Sequence, residues 1–274
     1  MTQWPGFWLG PVGGMVALPG YVGQVGTKST RGSEFYDLLG GGRVAHQRAG
    51  RALRSWSVQI DHSAFEESAP LAELLETPGD WWFVAPDARA GNVLTPGQAG
   101  RVDLLPGGQR VTAEGDVVVR SWLTGGEARY HGPVPIIPGV PVTGSAWVQG
   151  GSSTRVAVEF LDFAGRVVGT RGTTSQPMPA GVLTRLHRVV DPASIPAGAV
   201  QARLLIDGPV AYARPAITWT AAVMPWTTGR GASNVHVDGW DADLERAVID
   251  PASPLRMEGL SFEVEELDDT VGVR

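Results

Sequence analysis

The chain has 274 residues, a formal net charge of −6, 43% hydrophobic residues and 18% charged residues. This composition can bury a core and excludes wholesale disorder, and the length favours two moderate domains over one. The acidic balance disfavours a nucleic-acid partner, because the 22 basic residues are dispersed and form no basic run. Cysteine is absent, which excludes disulfides, thiolate metal sites and cysteine nucleophiles.

The N-terminal segment MTQWPGFWLGPVGGMVALPG is apolar but is broken by proline and glycine, and no basic stretch precedes it. A secretory signal needs a continuous apolar run after a basic start, so we expect no signal peptide. No apolar run reaches the roughly 20 residues that a membrane-spanning helix needs. These features predict a cytoplasmically made protein that is not inserted in a membrane.

Residues 1–100 alternate strand-like runs with turns. The run RSWSVQID places Trp56, Val58 and Ile60 on one face, which is the period-2 pattern of a half-buried strand. The next segment, SAPLAELLETPGD, predicts a short helix with Ser68 as its cap and Pro70 in its first turn. The aromatic run WWFVAP predicts another strand, and the glycine-rich residues after it predict a loop.

From residue 101 to residue 220, short β-type runs follow one another between glycine and proline turns, and helical periodicity is absent. Seven or eight antiparallel strands in this pattern are typical of a β-sandwich or jelly roll.

Residues 221–274 contain the run GLSFEVEEL, in which Leu260, Phe262 and Val264 alternate with polar residues. About fifty residues of strands without cysteines or metal ligands bury too little surface to fold alone. We therefore expect residues 221–274 to complete one split domain with residues 1–100, with this apolar edge packed against the strand of Trp56. The predicted fold is mainly β: a split β-sandwich-type domain with one short helix, and an inserted antiparallel jelly roll at 101–220.

Three stretches of the middle segment resemble the jelly-roll carbohydrate-binding modules found beside glycosidases: IIPGVPVTGSAWV, VEFLDFAGRVV and IPAGAVQARLLI. In those modules a proline-glycine turn leads into a strand that ends in an aromatic residue. An x-D-x-x-G hairpin and a P-x-G-A-x-x-A-R strand follow in the same order. The resemblance implies a jelly-roll fold and glycan binding.

The flanking segments resemble the distal tail or minor tail proteins of long-tailed actinobacterial phages, on the stretches GGRVAHQRAGRALRSWSV, WWFVAPDARAGNVLTP and PWTTGRGASNVHVDG. In that family a belt domain assembles a ring, commonly a hexamer, between the tail tube and the tip. The resemblance implies a virion protein of the tail tip or baseplate, made in the host cytoplasm. Its partners would be copies of itself, the tail tube and the tail tip or hub, with the inserted module facing host cell-wall polysaccharide.

Sugar binding requires flat aromatic faces together with polar groups for the hydroxyls. The residues of these types in the middle segment are the candidate glycan-binding residues Trp122, Tyr130, His131, Trp147 and Asp162. The strand alternation around Trp147 also fits a core position, whereas Trp122 and Tyr130 flank a turn and are better candidates for exposure.

Catalytic and metal-binding motifs are missing from the sequence. The acidic run DGWDADLE lacks the calcium-loop spacing, and the five histidines are too far apart to form a zinc motif. No nucleophile elbow, Walker loop or dinucleotide fingerprint occurs. We expect no metal, no cofactor and no enzymatic activity. The alternatives to a tail protein are a bacterial carbohydrate-binding protein and a glycan-cleaving tail enzyme, since a jelly roll can bring two carboxylates together without a short motif.

Overall fold

The computed structural model describes residues 7–18, 22–30, 33–37, 43–47, 53–77, 79, 81–85, 91–95, 98–99, 109–112, 118–123, 127–227, 229, 232–248 and 255–267. Within these ranges the chain forms eighteen strands and one α-helix. The predicted mainly β fold class, with antiparallel sheets of the β-sandwich type and one short helix, is confirmed. In the same described ranges, no helix is both long and apolar enough to cross a membrane.

The elements follow one another in this chain order: β1 Trp8–Gly10, β2 Val16–Ala17, β3 Val22–Thr30, β4 Ser33–Asp37, β5 Arg43–Gln47, β6 Leu53–Ala64, α1 Phe65–Leu75, β7 Trp81–Val84, β8 Gln109–Thr112, β9 Val118–Leu123, β10 Arg129–Pro135, β11 Val142–Gln149, β12 Arg155–Leu161, β13 Val167–Gly172, β14 Thr184–Val190, β15 Gln201–Asp207, β16 Ala211–Thr218, β17 Ala232–Val248 and β18 Leu255–Glu266. A single 3-10 turn, Pro192–Ser194, lies between β14 and β15.

The chain divides into two compact units. The first unit consists of Met1–Pro11, Val16–Phe83 and Ser233–Arg274, and the second of Val12–Met15 and Val84–Ala232. The sequence placed the ends of the inserted domain at residues 101 and 220. Independent folding of the two parts stays a prediction.

The first unit is built on a sheet with the strand order β2-β1-β7-β17-β18-β6-β3. Strands β18 and β6 pair antiparallel, and the alternating apolar residues of β18 lie opposite those of β6 in the pairs Leu260–Ile60, Phe262–Val58 and Val264–Trp56. All six side chains are buried. Each contributes about 1.5 to 3 kcal/mol when it leaves water, so this ladder is a major part of the unit's core. It is the pairing that the two alternating patterns predicted.

Helix α1 begins directly after β6, and the residue at its N-cap is Ala64, which has an extended backbone. The prediction that Ser68 caps the helix is therefore wrong, and Pro70 lies inside the helix, beyond its first turn. The reason is that β6 continues to Ala64 without an intervening loop, so the helix starts earlier than the serine. Leu71 is fully buried and anchors the helix.

The second unit contains two sheets, with the strand orders β10-β15-β12-β13 and β14-β11-β16-β9-β8 among the residues described. Gly144 on β11 shows that the two sheets pack face to face. A Cβ atom at this glycine would lie 2.6 Å from Val158 Cγ2 and 2.8 Å from Leu204 Cδ1, which belong to the other sheet. Gly144 therefore points inward, and its neighbours Ser145 and Trp147 lie on the outward side.

Candidate functional site

The outward face of the four-stranded sheet carries an aromatic ring beside a charged pair. On β15, Ala202 and Leu204 are fully buried and face the other sheet, so Arg203 between them points outward. Its guanidinium carbon lies 4.5 Å from the centroid of the Tyr130 ring on β10. Tyr130 is 51% exposed. The strand alternation thus places a cation directly against an accessible aromatic ring.

The same arginine joins Tyr130 to a carboxylate on the next strand. Arg203 Nε and Nη2 each lie 2.8 Å from Glu159 Oε2, and β12 and β15 pair directly at these two residues. Beside this pair, Leu205 on β15 lies opposite Tyr130 on one side and opposite Ala157 on the other. Leu205 and Ala157 are both buried. We call Tyr130, Arg203 and Glu159 the tyrosine row. It offers one flat aromatic surface and two groups that can hydrogen-bond to hydroxyls, on a packed apolar floor.

His131, the neighbour of Tyr130, points to the opposite side and is only 5% exposed. Its Nδ1 lies 3.0 Å from the carbonyl oxygen of Gln98, and its Nε2 lies 3.1 Å from the hydroxyl of Tyr212. In the neutral ring Nδ1 is the donor, because the carbonyl can only accept. The two rings also contact edge to face, with centroids 5.4 Å apart. These contacts give His131 a structural role and disfavour contact with a sugar.

The two tryptophan candidates belong to the other sheet. Trp147 on β11 is half-buried and packs against Leu183 and Ala213. Trp122 lies on β9 opposite Tyr212 of β16, and its side chain is outside the described residues. Neither strand is part of the four-stranded sheet that carries Tyr130. The structure therefore brings neither tryptophan strand into the tyrosine row.

Asp162 occupies the hairpin between β12 and β13. Its carboxylate accepts hydrogen bonds from the backbone N–H groups of Ala164 and Arg166, both at 2.9 Å, and lies 2.7 Å from Arg166 Nη2. The backbone and side-chain hydrogen bonds from Arg166 hold the pKa of Asp162 below its usual value. Its contacts are those of a turn-stabilising residue. Glycan binding by Asp162, as by the other four candidates, stays a prediction.

Arg203 and Glu159 were not among the residues predicted from the sequence. The available signal was the alternation in VQARLLIDG, which sets Arg203 apart from the apolar residues on either side of it. Glu159 gave no such signal, because the stretch VAVEFL around it is apolar at nearly every position. Its pairing with Arg203 depends on a contact between residues 44 apart.

Metal ligands are not grouped in the part of the chain that the structure describes: no three His, Cys, Asp or Glu residues there are placed to hold one ion. Within the acidic run DGWDADLE, Asp241 and Asp243 are exposed. Their strand, β17, pairs with β18 at Ser261 and Gly259.

No protein-family model matches the chain, and no curated protein sequence matches it. Solved structures with partial similarity include the enzymatically active domain of tailspike protein 4 of bacteriophage CBA120, with a TM-score of 0.26 and 11% identity over 71% of this chain and 19% of that chain. The CBM22-1–GH10 modules of Clostridium thermocellum endo-1,4-β-D-xylanase 10B in complex with xylohexaose match with a TM-score of 0.30 and 16% identity, over 44% of this chain and 25% of that chain. The VP2 subviral particle of infectious bursal disease virus matches with a TM-score of 0.30 and 12% identity, over 98% of this chain and 79% of that chain. The chain thus spans about a fifth of the tailspike chain and a quarter of the xylanase chain. All three TM-scores are below 0.5, and no functional assignment rests on these similarities.

Proposed function

We propose that this protein is a structural component of a phage tail tip, and that its second unit binds host cell-wall glycans through the tyrosine row. The tail assignment is supported by the resemblance of the flanking segments to distal tail and minor tail proteins. The glycan assignment is carried by one observation: the half-exposed Tyr130 ring is held by Arg203, which in turn is held by Glu159.

The geometry of the row suits a pyranose ring. A sugar presents an apolar face of C–H groups that stacks on an aromatic ring, and its hydroxyls need donors and acceptors at the edge of that ring. Arg203 supplies donors and Glu159 supplies acceptors, and their mutual contacts fix both side chains before a ligand arrives. This reduces the entropy that binding must overcome. A weak contact of this kind gains avidity when several copies present it together.

The test of glycan binding is the substitution Tyr130→Ala in the full chain. We expect affinity for purified actinobacterial cell wall to fall by about 1 to 3 kcal/mol, or roughly 5- to 150-fold, by analogy with aromatic truncations at interfaces. Phe163→Ala is the matched control, because Phe163 is 79% exposed but lies on the hairpin outside the row. Equal wall binding by wild type and Tyr130→Ala would contradict the glycan assignment and leave the unit as a scaffold.

The tail proposal includes assembly into a closed ring, with six copies as the preferred number, in contact with tail tube and tip proteins. Native mass spectrometry of the purified chain and imaging of assembled particles test it directly. A protein that is always monomeric and has no place in a particle would refute it. The proposal contains no catalytic step, so release of reducing sugar from host wall by the purified protein would contradict that part.

A further inference from the structure

The arginines of the second unit differ in whether a carboxylate pairs with them. On or near the four-stranded sheet, four arginines form the pairs Arg129–Glu127, Arg155–Asp207, Arg166–Asp162 and Arg203–Glu159, whereas Arg171 donates to the carbonyl oxygens of Ser194 and Thr170. On the five-stranded sheet, Arg185 and Arg214 have no carboxylate partner among the residues that the structure describes. Arg185 and Arg214 therefore carry positive charge without a carboxylate counter-ion in the described part of the chain, and the hydrogen bonds of Arg185, unlike those of Arg171, are partly buried.

Arg185 is held in a fixed position on the outward face of the five-stranded sheet. It lies opposite Trp147 in the pairing of β14 with β11, and His187 lies opposite Ser145 on the same face. Arg185 Nη2 donates to Ser145 Oγ at 3.1 Å and to the carbonyl oxygen of Met224 at 2.6 Å. Its Nε is buried and has no hydrogen-bond partner. The guanidinium is thus positioned by neutral groups and is only partly satisfied by them.

Arg214 lies in a backbone bulge of β16, next to the residue that pairs with Trp147. Ser145 and Trp147 of β11 pair with Ala216 and Ala213 of β16, which leaves Arg214 in the irregular stretch between them. Its φ is +49°, in the left-handed region that residues other than glycine rarely adopt. Such strain persists only where the surrounding structure maintains it, and it is frequent at binding sites.

Trp226 supports Arg214 in this position. The guanidinium carbon of Arg214 lies 5.4 Å from the centroid of the indole, and the indole Nε1 donates to the carbonyl oxygen of Pro215 at 3.0 Å. Burial lowers the pKa of Arg185, and the positive charge of Arg214 lowers it further. The two cations therefore repel each other where solvent screening is reduced, and an anion between them would relieve that repulsion.

We propose that Arg185 and Arg214, with the exposed His187 at the rim, form a binding site for an oxyanion, either a phosphate or a carboxylate. Guanidinium groups suit this ligand because their planar N–H donors match two oxygens of one phosphate or carboxylate. The site lies on the opposite sheet from the tyrosine row, so it does not depend on the proposed glycan contact. The oxyanion is either free in solution or part of an acidic cell-wall polymer.

The experiment measures binding of inorganic phosphate and of glucuronate to the full chain by calorimetry at constant ionic strength, with glucose as the neutral probe. Arg214→Asn removes the charge and keeps a residue that tolerates the left-handed backbone. We expect it to weaken binding of both anions at least tenfold. Arg214→Lys, which keeps the charge but loses the planar N–H donors of the guanidinium, should retain part of the affinity. Circular dichroism checks that each variant is folded.

The matched control is Arg188→Gln. Arg188 lies on β14, the strand of Arg185, but opposite Gly144 and on the side away from the outward face. It is exposed, and Arg188→Gln changes the net charge by the same amount as Arg214→Asn. We expect its affinity for both anions to stay within twofold of wild type, and Tyr130→Ala should leave the affinity for inorganic phosphate unchanged to the same extent. No binding of either anion, or equal losses in Arg188→Gln and Arg214→Asn, would overturn the proposal. Loss of phosphate binding in Tyr130→Ala would also overturn it, by assigning the anion to the tyrosine row.

Polymer probes distinguish the source of the oxyanion. Polygalacturonate carries carboxylates on a sugar chain, and dextran is its neutral counterpart. Binding of polygalacturonate that Arg214→Asn abolishes, with no such loss for dextran, supports a polymer-borne group. Binding of inorganic phosphate without binding of the polymer supports the same site with a free anion as its ligand.

Discussion

Neutralising Glu266 should weaken the first unit. This residue lies near the C-terminal end of β18, and its side chain is 1% exposed. Its Oε1 lies 2.9 Å from Arg54 Nη2 on β6 and accepts a 2.8 Å hydrogen bond from Ser233 Oγ on β17. Its Oε2 accepts from the backbone N–H of Arg54 at 2.9 Å and from Nε at 3.3 Å. One carboxylate therefore links three strands.

The expected cost follows from what Glu266→Gln leaves behind. Removing one partner of a buried ion pair costs about 3 to 5 kcal/mol, because the remaining charge is buried without compensation. The Arg54 side chain keeps 14% exposure, and glutamine keeps the shape and one acceptor oxygen. We therefore expect a loss of about 2 to 3 kcal/mol in the free energy of unfolding of the first unit, at or just below the lower limit of that range.

Urea denaturation followed by circular dichroism measures this loss, with the transitions of the two units fitted separately. Glu263→Gln is the control: Glu263 is exposed on the same strand, and its only described side-chain contact is a 3.3 Å hydrogen bond from Ser57. It should change stability by no more than about 0.5 kcal/mol. If both variants lose equal stability, the assignment of a special role to the buried carboxylate is wrong.

Three further predictions concern the second unit. Gly144→Ala should destabilise it by about 1 to 3 kcal/mol in urea denaturation, because the added methyl group would overlap Val158 and Leu204 between the sheets, and an unchanged midpoint would contradict that packing. Asp162 has a lower pKa in the folded chain than in the unfolded one, so its carboxylate stabilises the folded unit at neutral pH, and this contribution is lost as the pH falls through the acidic range. Asp162→Asn should remove this part of the pH dependence of stability. An identical pH profile in both proteins would refute the prediction. Residues 84–232 expressed alone should unfold cooperatively with β-type circular dichroism, because both sheets of the sandwich lie within them, and a disordered product would contradict independent folding.

The sequence predicted the fold best where an alternating pattern leaves an apolar face that another strand has to cover. The alternating residues of β6 and β18 each leave one apolar face that must be covered, and the two faces pair directly. The start of α1 was predicted wrongly because serine is a common cap, whereas here a strand runs into the helix without a loop. Local propensity cannot show how far a preceding strand continues.

The candidate site was harder to predict because its contacts join residues that are distant in the sequence. His131 hydrogen-bonds to Tyr212, 81 residues away, and Arg203 contacts Glu159 on the neighbouring strand, 44 residues away. Residue type alone therefore suggested His131 as readily as Tyr130. Only the register of β10 against β15 places Tyr130 on the outward face beside Arg203 and turns His131 inward.

The net charge of the whole chain also hides a difference between its units. The first unit has 9 basic and 19 acidic residues, whereas the second has 13 basic and 9 acidic residues, so their formal charges are −10 and +4. At physiological ionic strength the Debye length is roughly 8 Å. An anion bound near Arg185 and Arg214 is therefore affected by the charges close to it rather than by the net charge of the chain. Added sodium chloride screens such a contact but scarcely affects stacking on an aromatic ring. Raising the salt concentration should consequently weaken binding of phosphate at Arg214 while leaving binding of a neutral glycan at Tyr130 nearly unchanged, and equal salt sensitivity of both would argue against two separate sites.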